Sequence, residues 1–292
     1  MKNNRNLRAF SLIEISIVVL IIGILIVGVT QSSRLVSQAK VNSARTLTQS
    51  SPVSSIDGLM FWAETSSPQE SFSNEDIEDG DVITVWNDIN PQNSNRNNLA
   101  IVSAPAYETS GINGIPALTF TSDSLTSSNF ANISTGTITV FAAIRLPSEI
   151  TAGTIISKST NFQLKVTGSD EWQFCAGGVC YESSASATAN GSYVVSVVFN
   201  NTSSENASTD TLGGVNFFQN GTALSQEATT ADSSSNVTSL TVGNVSTGTA
   251  DYLEGNLGEV IVYDRSLKQE ERQSVEEYLG KKWGIKVNTA TY

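Results

Sequence analysis

The fold is decided by the run Val194-Val-Ser-Val-Val-Phe199, in which almost every residue is apolar. Such a run fits an inner strand with both faces largely covered. Comparable β-rich runs, separated by Gly, Asn, Ser and Thr, occupy residues 137–146, 154–158, 162–166, 192–200, 215–219 and 255–263. None of these runs has a helical period. Many short strands with frequent turns predict a β-sandwich.

Two turn signals place neighbouring strands side by side. Asn220-Gly221 follows residues 215–219 and is typical of a two-residue hairpin turn. Cys175-Ala-Gly-Gly-Val-Cys180 contains glycines that suit a tight reversal between two strands. Opposed residues of a non-hydrogen-bonded antiparallel pair lie close enough for a disulfide, which would form in an exported domain. We therefore predict a disulfide between Cys175 and Cys180, with free thiols as the alternative. Zinc is disfavoured because the chain has no further cysteine and no histidine.

A C-terminal helix is predicted after the last strand. Ser266 is the expected N-cap, and Gln269 three residues later completes a capping box. An apolar face up to Lys281 is supplied by Leu267, Val275, Tyr278 and Leu279. We expect this helix to lie on the sandwich as a structural element.

A series of sequence blocks occurs in order beyond residue 56. The blocks are Leu59-Met-Phe-Trp-Ala-Glu64, Val85-Trp-Asn-Asp88, Asn97-Asn-Leu-Ala100, Gly111-Ile-Asn-Gly-Ile-Pro-Ala-Leu-Thr-Phe120, Gly258-Glu-Val-Ile-Val-Tyr-Asp-Arg265, Glu270-Glu-Arg272 and Tyr278-Leu-Gly-Lys-Lys-Trp-Gly284. Together they resemble bacterial concanavalin A-like, laminin G-like domains. The resemblance implies a jelly-roll sandwich of two antiparallel sheets over residues 56–286. It implies no particular ligand, because that fold carries lectins, glycosidases, protein-binding modules and spacers.

The sequence predicts that the chain is not an enzyme and has no cofactor. A glycosidase of this fold would need two carboxylates about 5 to 10 Å apart across a cleft. The glucanases that share the fold carry acidic residues spaced as Glu-x-Asp-x-x-Glu, which has no match here. Glu254 and Glu259 are five positions apart, which in a regular strand places them on opposite faces. Serine-type catalysis through histidine is excluded because the chain has none.

Two features of the head have the chemistry of ligand contacts. The acidic segment Glu75-Asp-Ile-Glu-Asp-Gly-Asp81 has oxygen ligands of the kind that calcium takes, but it departs from the EF-hand spacing. A solvated loop is the preferred interpretation, and we predict no metal site. Trp86 and Trp283 lie in the blocks quoted above and are expected in the core. Trp172, beside the cysteine hairpin, is the candidate ligand contact.

The N-terminal segment is a basic leader, residues 1–9, followed by an almost unbroken apolar stretch over residues 10–29. Its only charge is Glu14. A charged side chain inside a membrane helix costs about 2.5 to 3.5 kcal/mol on insertion scales, so this carboxylate needs a partner. Because about 20 apolar residues suffice to cross a bilayer, we predict a long transmembrane and stem α-helix over residues 10–49. A linker over residues 50–55 follows, since Pro and Ser end a helix and build no core.

The segment Ala9-Phe-Ser-Leu-Ile-Glu14 resembles the processing site of type IV prepilins and type II secretion pseudopilins. The resemblance implies that a prepilin peptidase cuts between Ala9 and Phe10 and that the new amine is methylated. It also implies an assembly role for Glu14, whose carboxylate pairs with the terminal amine of a neighbouring subunit. Ala9 departs from the glycine that the family usually has at that position.

Two other interpretations fit the apolar stretch. A secretory signal peptide would be removed after it, although this stretch is longer than most signal cores. An uncleaved membrane anchor would leave Glu14 without a partner. With the pilin-like leader, the predicted localisation is a single pass through the bacterial inner membrane. The N-terminus would be cytoplasmic and the head periplasmic before entry into a pilus or pseudopilus filament.

Charge separates the head from the stem. Residues 56–292 contain 10 basic and 27 acidic residues, whereas residues 10–55 contain Arg34, Lys40, Arg45 and Glu14. An acidic head repels phosphate backbones, so we expect no nucleic-acid binding through it.

The whole sequence predicts an α+β, mainly β fold: a long N-terminal transmembrane stem helix, a jelly-roll head with a C-terminal helix, and a tail over residues 287–292. The predicted function is that of a type IV pilin-like filament subunit, minor or at the tip, whose lectin-like head serves adhesion or surface binding. The alternatives are a type II secretion pseudopilin or a membrane-anchored carbohydrate-binding protein that does not polymerise. Expected partners are other pilin or pseudopilin subunits, a prepilin peptidase, the inner membrane before assembly, and surface glycans or proteins.

Overall fold

The computed structural model of the chain describes residues 11–74, 76–128, 130, 136–159, 161–201, 213–227, 231, 239–245 and 251–288, without the side chains of residues 28–33. The predicted cleavage pair, Ala9 and Phe10, lies outside the described residues.

The head is a sandwich of two antiparallel sheets, as predicted. The strands are β1 (Leu59–Glu64), β2 (Val85–Trp86), β3 (Leu99–Ser103), β4 (Ala106–Ile112), β5 (Ile115–Thr121), β6 (Ser124–Ser127), β7 (Thr137–Arg145), β8 (Gly153–Lys158), β9 (Phe162–Val166), β10 (Glu171–Ala176), β11 (Val179–Ser186), β12 (Ser192–Asn200), β13 (Gly214–Gln219), β14 (Thr222–Glu227), β15 (Leu240–Val242) and β16 (Glu254–Tyr263). Sheet 1 has the order β14-β13-β12-β7-β16-β5-β4, with β1 also paired to β16. Sheet 2 has the order β11-β10-β9-β8-β15-β6-β3-β2.

The main core lies between the two sheets. It forms because alternate residues of each strand point inward, among them Val140, Val197 and Val262 of sheet 1 and Leu164 and Phe174 of sheet 2. All five side chains are fully buried. The apolar run Val194–Phe199 lies in β12, which pairs with β7 on one side and β13 on the other. A strand with neighbours on both edges and packing on both faces explains its almost continuous apolar sequence.

Strand β16 joins three neighbours in sheet 1. Residues 256–263 pair with β7 on one edge, while the other edge pairs first with β5 and then with β1. The ladder to β7 is interrupted by a bulge between Leu257 and Glu259. Gly258 lies at this bulge, and a Cβ there would stand 2.6 Å from Trp283 Cζ3. The close approach of backbone and ring therefore requires glycine.

The helices are α1 (Leu12–Gln49), α2 (Pro68–Ser71) and α3 (Gln269–Trp283), with a 3-10 turn at Val53–Ser55. The C-terminal part of α1 and the whole of α3 cover the outer face of sheet 1. A second apolar cluster forms there, including Ala44, Phe141, Ile261 and Trp283. Val53 is also buried in this cluster. The prediction that residues 50–55 build no core is therefore wrong at Val53.

The start of α3 differs from the prediction. The N-cap is Lys268, whose backbone N–H donates to Glu271 at 2.9 Å, instead of Ser266. Ser266 is buried beside the sheet, and Leu267 next to it packs into the second apolar cluster. Tertiary burial of these two residues delays the helix start. The helix ends at Trp283, and Gly284 adopts the left-handed conformation after it.

The predicted transmembrane stem is wrong. In the part of the chain that the structure describes, no helix is both long enough and apolar enough to cross a membrane. α1 has 38 residues, and its C-terminal part docks on the sandwich, where Ala44 is buried. The predicted fold class is wrong in this element, and the predicted single pass through the inner membrane is wrong with it.

Gly258→Ala tests the contact between β16 and α3. We expect the added methyl group to displace the Trp283 ring and lower the free energy of unfolding by about 1 to 3 kcal/mol. Urea unfolding followed by tryptophan fluorescence measures this change. Gly168→Ala is the control, because a Cβ at Gly168 meets nothing within 4 Å. Equal stability of the two variants would contradict the contact.

Candidate binding surfaces

A buried charge cluster fills the space between α3 and sheet 1. Glu64 of β1 and Glu259 of β16 are directly opposed in the strand register, and both are fully buried. Lys282 of α3 bridges them, with its Nζ 2.9 Å from Glu64 Oε2 and 2.8 Å from Glu259 Oε2. We call these three residues the Lys282 cluster. Its carboxylates are sealed from solvent, so neither can reach a bound substrate.

Hydrogen bonds complete the cluster. The indole N–H groups of Trp62 and Trp283 and the hydroxyl of Tyr278 donate to Glu259 at 2.7, 3.0 and 2.8 Å. Ser66 donates to Glu64 from its backbone. Burial raises the pKa of Glu64, but Lys282 and the bonds from Ser66 outweigh this effect and lower the pKa to about 2. Glu64 and Glu259, held on either side of one ammonium group, form a structural clamp with Lys282.

Lys282→Met tests the clamp. We expect it to lower the free energy of unfolding by about 3 to 5 kcal/mol at neutral pH, because two buried carboxylates lose their cation. Chemical unfolding of the full chain measures the loss. Lys281→Met is the matched control: its side chain is 69% exposed and pairs with Glu277 at 3.5 Å, so the change should stay within about 0.5 kcal/mol.

Lys282→Met should also change the pH dependence of the free energy of unfolding. A carboxyl whose folded pKa lies below its ordinary value of 4.5 stabilises the fold above that value. This stabilisation is lost as the pH falls through about 2. Without Lys282 the buried Glu64 carboxylate loses its cation and protonation relieves the cost of burying its charge, so the deficit of the variant should shrink below pH 4.5. A deficit that stays constant down to pH 3 would contradict this role.

The outer face of sheet 2 is partly exposed among the residues that the structure describes, because α1 and α3 lie on sheet 1. Its residues alternate along β9 and β10 with the buried core residues and are polar, as Gln163, Lys165 and Gln173 show. Lys165 pairs with Asp251 at 2.6 Å. Gln173 donates to Glu182 at 2.8 Å. On this surface, the open face, these polar side chains already bond one another.

The predicted disulfide is confirmed. Cys175 and Cys180 are opposed in the β10–β11 register and are joined by a disulfide bond. Gly177 and Gly178 form the turn with φ angles of 56° and 84°, which glycine adopts without strain. The hairpin lies at the edge of the open face and carries Val179 exposed at its tip.

Trp172 is placed in the core. The side chain is fully buried, and its ring lies edge-on to Tyr193 at 5.6 Å. Its indole N–H donates to Gln219 at 2.6 Å. With no exposed surface, the ring offers nothing for a sugar to stack on in this conformation. Trp86 and Trp283 are also fully buried, as the sequence predicted.

A groove runs between α1 and the edge of the sandwich. Its volume is about 870 Å³. One wall is α1 at Gln38, Asn42 and Arg45, and the other is α2, β4 and the acidic segment before it. In that segment Asp79 accepts from the backbone and hydroxyl of Thr109 at 2.7 and 2.8 Å. These two bonds lower the pKa of Asp79. We call this cavity the helix groove.

The first half of α1 is an apolar surface without cover. The large aliphatic side chains of residues 12–27, here called the exposed half of α1, are between 49% and 87% exposed. They occur at consecutive positions and so face all directions around the helix. Glu14 lies among them, and its Oε2 accepts from the backbone N–H of Ser11 at 2.9 Å. The predicted assembly residue thus caps its own helix in this form of the chain.

Sequence reasoning missed the Lys282 cluster and the helix groove. A signal for the first was present: Glu64 ends the run Leu59-Met-Phe-Trp-Ala, and Glu259 precedes Val-Ile-Val, so each acid adjoins strand residues destined for burial. A buried acid needs a partner. The groove gave no signal, because α1 and β4 are distant in sequence.

The sequence model of the concanavalin A-like lectin/glucanases superfamily matches residues 119–271, which is more than half of the chain. The chain belongs to this superfamily. No curated protein matches it in sequence. As a member of the superfamily it has a carbohydrate-binding-type domain, which fits the predicted lectin-like head.

Solved structures show the same fold at low identity. A Trypanosoma rangeli sialidase in complex with sialic acid matches with 11% identity and a TM-score of 0.53, covering 85% of this chain and 39% of that chain. The same sialidase with 2,3-difluorosialic acid gives 10% identity and a TM-score of 0.51, covering 77% of this chain and 33% of that chain. Domain 4 of a Geobacillus stearothermophilus arabinanase in complex with arabinotriose matches with 13% identity and a TM-score of 0.48, covering 75% of this chain and 97% of that domain. The chain thus spans about two fifths of the first sialidase, and the likeness concerns the fold alone.

Proposed function

We propose that the chain is a non-enzymatic filament subunit of the type IV pilin kind, in which α1 assembles copies and the head binds carbohydrate. The observation that carries the proposal is the division of α1. Its C-terminal part, residues 40–49, docks on sheet 1, with Ala44 buried and Arg45 donating to the Ser66 carbonyl at 2.8 Å. Its exposed half reaches past the head with aliphatic side chains on every side.

Association of copies would remove this surface from water. Burial of one Leu, Ile or Val side chain stabilises by about 1.5 to 3 kcal/mol. Side-by-side packing of several α1 helices would bury many such side chains in each copy at once. The resemblance of Ala9-Phe-Ser-Leu-Ile-Glu14 to the prepilin processing site supports the same proposal. A prepilin peptidase and further subunits are the partners that it entails.

In a filament, Glu14 would then change its hydrogen-bond donor from a backbone N–H to a terminal amine. In the present form its partner is the Ser11 N–H at 2.9 Å, a contact at the very start of the helix. Cleavage before Phe10 would place a charged amine one residue from that position. A charged donor makes a stronger hydrogen bond to a carboxylate than a neutral amide does. The amine of a neighbouring copy could therefore displace the Ser11 contact.

The proposal that the head is not an enzyme rests on the placement of its acids. Glu64 and Glu259, the opposed pair, are fully buried and held by Lys282. Glu254, on the same strand as Glu259, is exposed. These carboxylates share no cleft in which a glycosidic bond could lie between them. The acidic head also disfavours phosphate backbones as ligands.

A second candidate function is a carbohydrate-binding protein that does not polymerise. The contact between Glu14 and Ser11 favours it, because that carboxylate already has a partner within its own chain. The assembly state of the processed chain separates the two candidate functions.

Assembly should depend on the exposed half of α1. Glu14→Ala and the pair Ile17→Gln with Ile24→Gln should each shift the processed chain from large assemblies to monomers, measured by analytical ultracentrifugation and electron microscopy. The matched control is Ile101→Gln with Val102→Gln, which changes two exposed apolar residues of the head and should leave assembly intact. A wild-type chain that stays monomeric would favour the second candidate.

Carbohydrate binding should be a property of the folded head. The wild-type full chain, applied to an array of neutral and acidic glycans, should give signals that vanish after unfolding and return after refolding. The Glu14→Ala variant should keep these signals, because Glu14 is far from the sandwich in sequence and structure. Silence across the array would remove carbohydrate binding from the proposed function.

A further inference from the structure

We propose that the helix groove is the carbohydrate site and that it takes neutral oligosaccharides while rejecting acidic ones. The inference rests on the proposed carbohydrate-binding function. It goes further by naming the site and the class of sugar. The size of the helix groove suits an oligosaccharide, since a volume of about 870 Å³ can hold a ligand of several rings.

The walls of the groove have the chemistry of sugar recognition. Gln38 and Asn42 stand one turn apart on α1, and Thr109 and Ser110 face them from β4. Amide and hydroxyl groups both donate and accept hydrogen bonds, as sugar hydroxyls do. The hydroxyl of Thr109 is oriented by its bond to Asp79 and keeps lone pairs for a ligand donor.

The floor of the groove is apolar. It is formed by Val41 of α1, Ile77 of the acidic segment and Pro116 of β5, which are half-buried or buried. Such a floor can contact the C–H face of a sugar ring while the walls bond its hydroxyls. An apolar base with a few placed polar groups is the usual composition of a small-molecule site.

Charge decides which sugars fit. Asp76 and Glu78 stand exposed on one rim, and Asp79 lies beside them. Arg45 is the single cation among the described lining residues, and its Nε is tied to the Ser66 carbonyl at 2.8 Å. The acidic groups therefore outnumber the basic one at the entrance. A sugar carboxylate would meet repulsion there, whereas a neutral sugar would not.

The open face is the weaker candidate. Its side chains bond one another, as Lys165 does with Asp251 and Gln173 with Glu182. A ligand would have to break these contacts before it could bond the same side chains. The groove is also independent of assembly through the exposed half of α1. Its first wall residue, Ser37, follows Val27 by ten positions, or about 15 Å of helix.

The test compares three variants of the full chain on one glycan array, followed by calorimetric titration of the strongest neutral oligosaccharide. Gln38→Ala with Asn42→Ala should weaken binding of that sugar at least about tenfold. Gln163→Ala with Gln173→Ala, on the open face, is the matched control and should bind as the wild type does. Asp76→Asn with Glu78→Gln should gain signals for uronic-acid and sialylated glycans. Unchanged thermal unfolding of each variant confirms the fold.

The outcomes separate this inference from the function on which it rests. Loss of neutral glycans in the groove variant alone supports the inference. Loss in the open-face variant alone refutes it and leaves the head a carbohydrate-binding module. A wild-type preference for acidic glycans also refutes it. If the wild-type chain binds no glycan on the array, both the inference and the carbohydrate part of the proposed function are refuted.

Discussion

The bridge from Lys282 to Glu64 and Glu259 is the contact on which the rest of the structure depends. It joins α3 to two adjacent strands of sheet 1, with all three side chains fully enclosed. Ions in a dry interior tolerate only a geometry that satisfies every charge, so the pair of carboxylates fixes where α3 lies. α3 in turn positions α1, since the Tyr278 hydroxyl donates to Glu259 and lies 3.4 Å from the Thr48 hydroxyl of α1.

The docking of α1 has two consequences for function. It holds one half of the helix against the sandwich, which creates the helix groove, and it leaves the other half reaching into solvent. The apolar sequence of that half requires cover. The proposed ligand site and the proposed assembly surface thus both follow from one contact between helix and head, and they lie on separate stretches of α1.

Membership of the concanavalin A-like superfamily explains the fold of the head, whereas its function depends on individual sites. The sandwich itself was predictable because the burial of a strand shows in its own sequence: the runs that became β7, β12 and β16 are apolar because both faces are covered, whereas the run that became β9 alternates. The hairpins were predictable for the same reason, since Asn220-Gly221 and Gly177-Gly178 suit the positive φ angles of their turns. Trp172 shows the limit. The alternation along β10 places its ring on the same face as Phe174, but only the packing of sheet 1 against that face makes it the core.

The sequence by itself determined the sandwich, the Cys175–Cys180 hairpin, the existence of α3 and the apolar character of the first half of α1, because propensity, turn chemistry and hydrophobic pattern act between near neighbours. Only the tertiary structure decided the burial of Val53 and Trp172, the later start of α3, the Lys282 cluster and the helix groove. Each of these depends on residues far apart in the chain meeting in space. Burial and electrostatic partners are properties of such meetings, so no local pattern encodes them.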